Sequence, residues 1–413
     1  MTTTQGDLSR RHVLGIGTAA AVGGVLAGVS GAVPAVWGGV SAVDSAAASV
    51  ADTVTPFAMD VRRVSPATAF ATNAWPQGKT CVSSTGRIYQ GYNRSSGHGA
   101  TDTKPLITRT DDLGASWSTP VVLVAGETNA RGTDCFALGI DATDTLWAIV
   151  RSRGATNAVG VTKHTLYSST DAGATWAMRL VLSGVQQGGF VPELFHDMEY
   201  VDGRMYTGFH FAASSRLGFL SFDPADPAGT VTTFDVVADG NAAYPPVTYC
   251  EPTITWDQAA GKIIGGLRTQ KTTGAPTQFY SMNLDGSGFA RWNAPESFVY
   301  SPLPVKIIGD TVAALVIERY GACTMALWVG SRTQFHAKNT ASPAFRSVRL
   351  GALGGAPISG STEMGVQDLA VVGTKLVLSW SFEMNDGSSK VLLGVIDFGA
   401  ADRALTYDAL AAL

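Results

Sequence analysis

Charged side chains are scarce in this sequence. They make up 15% of the 413 residues, and the two signs nearly cancel to a formal charge of −4. Soluble domains typically carry about a quarter of their residues as charged side chains. The chain also lacks a run of Lys and Arg interleaved with aromatic residues, which excludes a general affinity for nucleic acid. Apolar residues, at 45%, indicate a chain that folds around a large core.

Cysteine is rare too, and no two cysteines have the spacing of a zinc ribbon or a redox motif. If the chain is exported, three disulfide pairings are open, but a domain of this size needs no disulfides, so we expect buried thiols. Calcium loops, Gly-rich phosphate loops and His-Glu-x-x-His are absent, which predicts no metal and no organic cofactor. The four cysteines are Cys81, Cys135, Cys250 and Cys323.

The N-terminal segment has no Asp, Glu, Lys or Arg between Arg11 and Asp44. It is rich in Ala and Gly and follows the pair Arg10–Arg11, which predicts a twin-arginine export signal and a secreted or cell-envelope protein. Cleavage near Ala35 or near residues 46–48 fits equally well. The alternatives are an uncleaved membrane anchor or an Ala/Gly-rich adaptor. In each case residues 1–55 precede the folded domain, which we place at 56–413, and contact with a membrane is expected only through this segment.

Glycine is abundant, with 47 residues, and short Val- and Thr-rich runs lie between the glycines, which predicts many short strands joined by tight turns. One pattern occurs twice, as TRTDDLGASW and SSTDAGATW. Its Asp can accept backbone N–H groups, its Gly supplies a positive φ, and its Trp can pack into an apolar layer. We therefore interpret the repeated residues as a structural turn; they are Asp112, Gly114, Trp117, Asp171, Gly173 and Trp176.

The spacing of this turn predicts the architecture. Trp117 and Trp176 are 59 residues apart, and a looser copy that ends at Trp292 follows after nearly twice that distance. A repeat without the motif would fill the gap near residue 234. About six such periods fit between residue 60 and the end, and radial repetition of small sheets suits this period. The prediction is an all-β, six-bladed β-propeller.

Two pairs of charged residues close strongly apolar strands. Glu251 begins one apolar strand, and Arg268 ends the strand a hairpin later. A carboxylate and a guanidinium at the same end of two paired strands can converge on one ligand. Glu318 and Arg319 end the run TVAALVI about one blade later. Such pairs are either solvated strand ends or a ligand site near the propeller axis.

The repeated turn matches the Asp box, which resembles the blade signature of the sialidase superfamily. The stretches NAWPQGK, YQGYNRSSGHG, VPELFHDMEYVDGRMYTGFHF and SPLPVKIIGDTVAALVIERYG closely resemble the catalytic propeller of bacteriophage endosialidases, in order, over about 60–400. The resemblance implies that Arg268 and Arg319 clamp a sialic acid carboxylate, since guanidinium binds carboxylate bidentately. It also implies that Glu251 stabilises an oxocarbenium ion or polarises water. In that superfamily the boxes lie away from the active-site face.

Other candidate residues follow from this resemblance and from its departures. His98 occupies a position where the family carries His, and it is either a substrate contact or an ordinary loop residue. Tyr249, two residues before Glu251, is a candidate substrate contact on the same strand face. Asp134 stands where the family has His, and it is either a general acid or a turn residue. His196 and His210 lie in matched segments, and we expect both to be structural.

The family pattern is incomplete here. An Arg-Ile-Pro near the start of the domain and a third active-site Arg, both typical of exo-sialidases, are not evident. The export signal and an end close to the last blade favour a secreted or envelope enzyme over a tailspike, and the mild negative charge gives no basic track for a long polyanion. The leading hypothesis is a glycosidase acting on a sialylated glycan or a polysialic acid-like polysaccharide. The alternatives are a non-catalytic sialoglycan-binding propeller and an assembly scaffold.

Overall fold

The structure is a computed structural model. It describes residues 59–64, 73–75, 80–96, 100–124, 132–154, 161–182, 192–211, 216–237, 249–269, 276–295, 301–317, 325–341, 344–349, 361–373, 375–384 and 389–397. The predicted export signal lies outside these residues.

The described chain forms six antiparallel sheets that follow one another along the sequence, and each sheet is one blade. The prediction of an all-β, six-bladed propeller is confirmed. In blades 1 to 3 the strands are β2 (Asn73–Trp75), β3 (Thr80–Val82), β4 (Ile88–Ser95), β5 (Lys104–Thr110) and β6 (Val121–Val122); β7 (Thr133–Ile140), β8 (Leu146–Ser152), β9 (Lys163–Ser169) and β10 (Ala177–Leu182); and β11 (Pro192–Val201), β12 (Arg204–Phe211), β13 (Arg216–Phe222) and β14 (Thr232–Val237).

Blades 4 to 6 repeat this order from the axis outward. Their strands are β15 (Tyr249–Cys250), β16 (Thr255–Asp257), β17 (Lys262–Thr269), β18 (Gln278–Met282) and β19 (Ala290–Asn293); β20 (Val305–Ile308), β21 (Thr311–Ile317), β22 (Met325–Ser331) and β23 (Phe345–Arg349); and β24 (Ser361–Val372), β25 (Lys375–Met384) and β26 (Ser389–Asp397), with β1 (Met59–Arg63) as the fourth strand.

The ring is closed by the two ends of the domain. Strand β1 pairs antiparallel with β26, from Met59 opposite Ile396 to Arg63 opposite Leu392. The N–H of Val64 then donates to the carbonyl oxygen of Val391 at 2.9 Å. Blade 6 therefore joins chain segments from opposite ends of the sequence, and it leaves no open first or last blade.

The hydrophobic core consists of layers between neighbouring blades, because alternate residues of a strand face opposite sides of its sheet. Between blades 5 and 6, for example, the buried cluster includes Leu315, Leu327, Leu376 and Trp380. Between blades 4 and 5 several aromatic rings pack together around Phe279. Each fully buried large apolar side chain contributes about 1.5–3 kcal/mol. Cys81 and Cys250 are buried thiols, as expected, whereas the other two cysteine side chains lie outside the described part.

A cavity of about 330 Å³ lies on the axis and is lined by the first strands of all six blades. Its charged lining residues are Asp197, Glu199, Lys306 and Asp368. The Nζ of Lys306 lies 3.4 Å from Oε2 of Glu199. Burial disfavours the charged amine, but the three carboxylates outweigh it and raise the pKa of Lys306. Charges from blades 3, 5 and 6 therefore meet across the axis.

The repeated turns join the third strand of a blade to the fourth. The Oδ1 of Asp112 accepts the N–H of Ser116 at 2.8 Å, and its Oδ2 accepts the Ser116 hydroxyl at 2.6 Å. Asp171 makes the same two bonds to Thr175, and these bonds lower its pKa to about 2. Gly114 and Gly173 both have positive φ. Trp117 and Trp176 pack against the clusters between their own blade and the preceding one.

Blade 3 departs from this pattern, in the place where the spacing leaves a gap. The third and fourth strands of blade 3 are joined through a short helix, Pro227–Thr230, capped by the side chain of Asp226. Blade 5 has a short helix at the equivalent connection, Arg332–His336, capped by Ser331. In both blades a short helix replaces the turn that an Asp carboxylate stabilises in blades 1 and 2.

Candidate functional site

Glu251 and Arg268 meet at one end of blade 4. Strand β15 pairs antiparallel with β17, and Cys250 lies opposite Arg268. Glu251 is therefore the next residue along from the one that faces Arg268. Nη1 of Arg268 donates to Oε1 of Glu251 at 2.5 Å, and the two side chains are only 17% and 10% exposed. A charge-assisted bond of this length between largely buried groups fixes the orientation of both side chains.

The backbone of Glu251 is unusual. Its φ is +50°, in the left-handed region that a residue with a Cβ adopts at a cost of about 1–3 kcal/mol. Strand β15 therefore ends at Cys250, and pairing with β17 resumes where the N–H of Thr253 donates to the carbonyl of Gly266 at 3.0 Å. Strain of this kind is found preferentially at active sites and ligand-binding sites.

His210, from blade 3, holds this backbone. Its Nδ1 accepts the N–H of Glu251 at 3.3 Å, and the imidazole is 4% exposed. An accepting Nδ1 carries no hydrogen, which places the proton of a neutral ring on Nε2. We expected His210 to be structural, and its position beside Glu251 was not visible in the sequence, because the two residues belong to different blades.

Glu251 and Arg268 lie at one end of blade 4, and the turn that joins β18 to β19 lies at the other end. Ile263, near the start of β17, is paired with Met282, the last residue of β18, so the β18–β19 turn follows the end remote from Arg268. Lys262 Nζ donates to Oδ1 of Asn283, within that turn, at 2.5 Å. The Glu251–Arg268 pair and the turn therefore occupy opposite ends of the same blade.

Tyr249 packs between blades 3 and 4. Its residue is 3% exposed and belongs to the cluster between blades 3 and 4, and the guanidinium of Arg291 lies 4.7 Å from its ring centroid. Nη1 of Arg291 donates to Oε1 of Gln278 at 2.6 Å, which anchors the cation. A cation over a ring face is attracted by the ring quadrupole. The alternation that would place Tyr249 and Glu251 on one face is interrupted by the positive φ of Glu251, and the substrate contact of Tyr249 stays a prediction.

Asp134 lies in β7 at the corresponding end of blade 2, and its side chain is outside the described part. Its backbone is in register with Arg151 of β8, which is in register with His164 of β9. Arg151 and His164 are both buried. Burial and the nearby Arg151 charge lower the pKa of His164 to about 3, so this imidazole is neutral near pH 7.

The remaining candidates are outside the description. His98, Glu318 and Arg319 are not among the described residues, and only the backbone of His196 is described, in β11. Arg319 follows the last residue of β21, Ile317, by two positions. Strands β17 and β21 are the second strands of blades 4 and 5. Arg268 lies within β17, at the end of blade 4 that carries Glu251, and the position of Arg319 beside it stays a prediction.

Within the part of the chain that the structure describes, no group of three or more His, Cys, Asp or Glu could hold a metal ion. In the same residues, no helix combines the length and the apolar character that crossing a membrane would require.

Comparison with known proteins gives a fold relationship. No protein-family model matches the sequence, and no curated protein matches it. Phage phi92 endosialidase is similar with a TM-score of 0.62 at 14% identity, over 84% of this chain and 70% of that one. A leech intramolecular trans-sialidase has a TM-score of 0.61 at 12% identity, over 84% and 70%. The intramolecular trans-sialidase from Ruminococcus gnavus has a TM-score of 0.57 at 11% identity, over 77% and 93%. The chain has the fold of the sialidases, and the predicted resemblance is confirmed at that level.

Proposed function

We propose that the protein is a glycoside hydrolase that cleaves linkages of sialic acid or a related nonulosonic acid. The observation that carries the proposal is the buried pair of Glu251 and Arg268, whose carboxylate sits on a left-handed backbone at the blade end opposite the turn. Fold alone hosts many functions, so the proposal depends on these residues.

In the proposed site Arg268 binds the carboxylate of the sugar. A guanidinium presents a planar fork of N–H donors that matches a carboxylate, and it stays charged at all relevant pH values. Arg319 supplies the second guanidinium from the next blade. The bond to Glu251 orients the guanidinium before substrate arrives, so less conformational freedom is lost on binding.

Glu251 acts on the positive charge that develops at the anomeric carbon, either directly or through a polarised water. Arg268 holds the carboxylate, and the bond from the backbone N–H of Glu251 to His210 holds the backbone that carries it. An ion-paired carboxylate is suited to stabilising charge rather than to donating a proton. The proton for the leaving group is therefore assigned to Asp134, which lies near the start of β7 at the corresponding edge of blade 2.

The test is a hydrolysis assay on α2,8-linked oligosialic acid and on a fluorogenic sialoside, with product lengths measured by chromatography. Glu251→Gln should lower turnover by about 10²–10⁴-fold, the range typical of acid–base and charge-stabilising residues. Arg87→Gln is the matched control, since it breaks the exposed ion pair with Asp111 at the turn end. Short oligomers indicate an endosialidase, and free monosaccharide alone indicates an exo-enzyme.

If neither substrate were hydrolysed, the proposal that the protein is a glycoside hydrolase would be wrong. If the unmodified protein still bound the sialoside and Arg268→Ala did not, the protein would instead be the non-catalytic sialoglycan-binding propeller.

Export by the twin-arginine route belongs to the same proposal, because the protein would then meet an extracellular substrate. Replacement of Arg10 and Arg11 by Lys should retain the protein in the cytoplasm of a host that has this route.

A further inference from the structure

The joints between neighbouring blades are filled unequally at the end where the repeated turns lie. Between blades 1 and 2, the blade 2 turn fits against blade 1, where Nη1 of Arg109 donates to the carbonyl of Ala172 at 2.6 Å. The cavity left at that joint is about 100 Å³. At the equivalent joint between blades 2 and 3, the cavity is about 440 Å³.

The larger cavity follows from the departure of blade 3 from the repeat. Trp176 directly precedes β10 and packs into the cluster between blades 1 and 2. The residue that directly precedes β14 is Val231, which packs into the cluster between blades 2 and 3. A Val stands where the repeat has a Trp, and the short helix Pro227–Thr230 stands where the repeat has its turn. The volume that the turn occupies elsewhere is therefore open here.

The lining of this cavity combines flat apolar surfaces with hydrogen-bonding groups. Tyr200, Trp147 and the rings of Pro224 and Pro227 supply the apolar surfaces, and threonine hydroxyls and the guanidinium of Arg179 supply polar groups. Trp147 is held in place by its Nε1, which donates to Oδ2 of Asp141 at 2.8 Å, and by edge-to-face packing on Phe222. A cavity of about 300–1,000 Å³ with apolar walls and a few fixed polar groups is typical of small-ligand sites.

The charges of the cavity set the ligand class. Asp141 already accepts bonds from the N–H and hydroxyl of Thr143 and from the N–H of Thr145, in addition to Trp147. Asp223 accepts the N–H of Ala225 through Oδ1. Arg179 donates through Nε to Ser168 at 2.7 Å, and no carboxylate among the described residues forms an ion pair with it. Two carboxylates and one guanidinium disfavour an anionic ligand.

We propose that this cavity binds a neutral pyranose unit of a glycan. The C–H face of the sugar packs on the ring of Tyr200 and on the prolines, while its hydroxyls exchange hydrogen bonds with Arg179 and Asp223. The site is at the opposite end of the blades from Glu251 and is independent of the hydrolase proposal. It takes an uncharged sugar, whereas the Glu251–Arg268 pair is proposed to take an anionic one.

The experiment titrates lactose, cellobiose and methyl N-acetyl-β-glucosaminide into the full chain, with binding followed by saturation-transfer NMR. Ala142 is exposed, lines the cavity and is the second residue of the turn Asp141–Asp144, so Ala142→Trp should block the site. Ala259 is the exposed second residue of the turn Gln258–Gly261 in blade 4, so Ala259→Trp is the matched control. Both variants add the same ring to the same kind of turn.

We expect at least one of the three sugars to bind the unmodified chain, Ala259→Trp and Arg268→Leu with equal affinity. Binding should weaken by at least about tenfold in Ala142→Trp and in Arg179→Leu. Failure of all three sugars to bind would overturn the proposal, as would equal binding to Ala142→Trp. Loss of binding only in Arg268→Leu would also overturn it, because the neutral sugar would then occupy the other site. Sialoside hydrolysis should be unchanged in Ala142→Trp, so the two proposals fail separately.

Discussion

The backbone N–H of Glu251 donates to Nδ1 of His210, which lies on the second strand of the preceding blade, at 3.3 Å. This bond crosses the joint between blades 3 and 4 and ends on a residue with a φ of +50°. A strained backbone persists only where its surroundings hold it. His210 is one of the groups that hold this one.

Replacement of His210 by Ala should therefore reduce activity without unfolding the protein. The N–H of Glu251 loses its acceptor in a buried position, at a cost of about 1–3 kcal/mol, and the carboxylate shifts from its orientation. We expect kcat/KM for the fluorogenic sialoside to fall by about tenfold or more. Steady-state kinetics and urea unfolding measure the two effects. Unchanged kcat/KM would show that the bond does not position Glu251.

The Glu251–Arg268 pair should show strong energetic coupling. Removing either partner leaves the other charge largely buried, whereas removing both does not, so the single costs should not add. We expect the double variant Glu251→Gln/Arg268→Met to be more stable than the sum of the single changes predicts, by about 1–3 kcal/mol. A double-mutant cycle in urea measures this coupling. Simple additivity would contradict the ion pair.

Asp257 should make stability sensitive to acid. It is buried, and it accepts bonds from Arg332 and from Nε2 of His336, the latter at 2.8 Å. Burial alone raises the pKa of Asp257, but the bonds from His336 and Arg332 outweigh it, and the pKa is lowered. A lowered pKa gives stability that is present above the unfolded value near 3.9 and is lost as the pH falls through the folded value.

Asp257→Asn should therefore destabilise the protein at pH 7 by about 1–3 kcal/mol, the cost of losing hydrogen bonds to charged groups. The difference from the unmodified chain should shrink as the pH falls below about 4. Urea unfolding of both proteins at several pH values measures it. A difference that is constant with pH would contradict the charge on Asp257.

His164 should produce a separate pH dependence. Its folded pKa of about 3 lies below the unfolded value near 6.5, so the unfolded chain binds an extra proton between these values. Stability from this residue is present above about pH 6.5 and falls, with a slope approaching about 1.4 kcal/mol per pH unit, towards pH 3. His164→Asn should remove that slope. Urea midpoints measured between pH 4 and 7 test it, and an unchanged slope would contradict a neutral buried ring.

Asp112 should affect stability but not catalysis. Its carboxylate accepts bonds from Thr110 and Ser116 within its own turn, at the end of the propeller opposite Glu251. We expect Asp112→Ala to lower the thermal midpoint and to leave kcat/KM unchanged. Calorimetry and sialoside kinetics on the same preparation measure both. A selective loss of kcat/KM would place this turn in the functional site.

The number of blades could be predicted from the sequence because the same turn, stabilised by the same short-range hydrogen bonds, recurs from blade to blade. A carboxylate that accepts N–H groups two to four residues away leaves a pattern that can be counted, and the spacing from Trp117 to Trp176 therefore measures one blade. The convergence of Glu251 and Arg268 was accessible for a similar reason, since a hairpin brings its two ends together. Both inferences depend on residues close in sequence.

The rest depended on contacts that the sequence does not encode locally. Nothing near Glu251 indicates a left-handed backbone, because the positive φ is held by a neighbouring blade. The packing of Arg291 on Tyr249 joins the first and last strands of blade 4, and no spacing rule predicts it. The gap in the repeat near residue 234 was visible, but the cavity that results from it required the structure.

The pairing of β1 with β26 has a kinetic consequence. Its partners are more than three hundred residues apart, from Met59 to Ile396, so closing the ring carries a high loop-closure entropy and is expected to be a late folding step. Until then β26 is an unpaired sheet edge, which can template association between chains. Deletion of residues 59–63 should therefore convert slow, concentration-independent refolding into concentration-dependent aggregation.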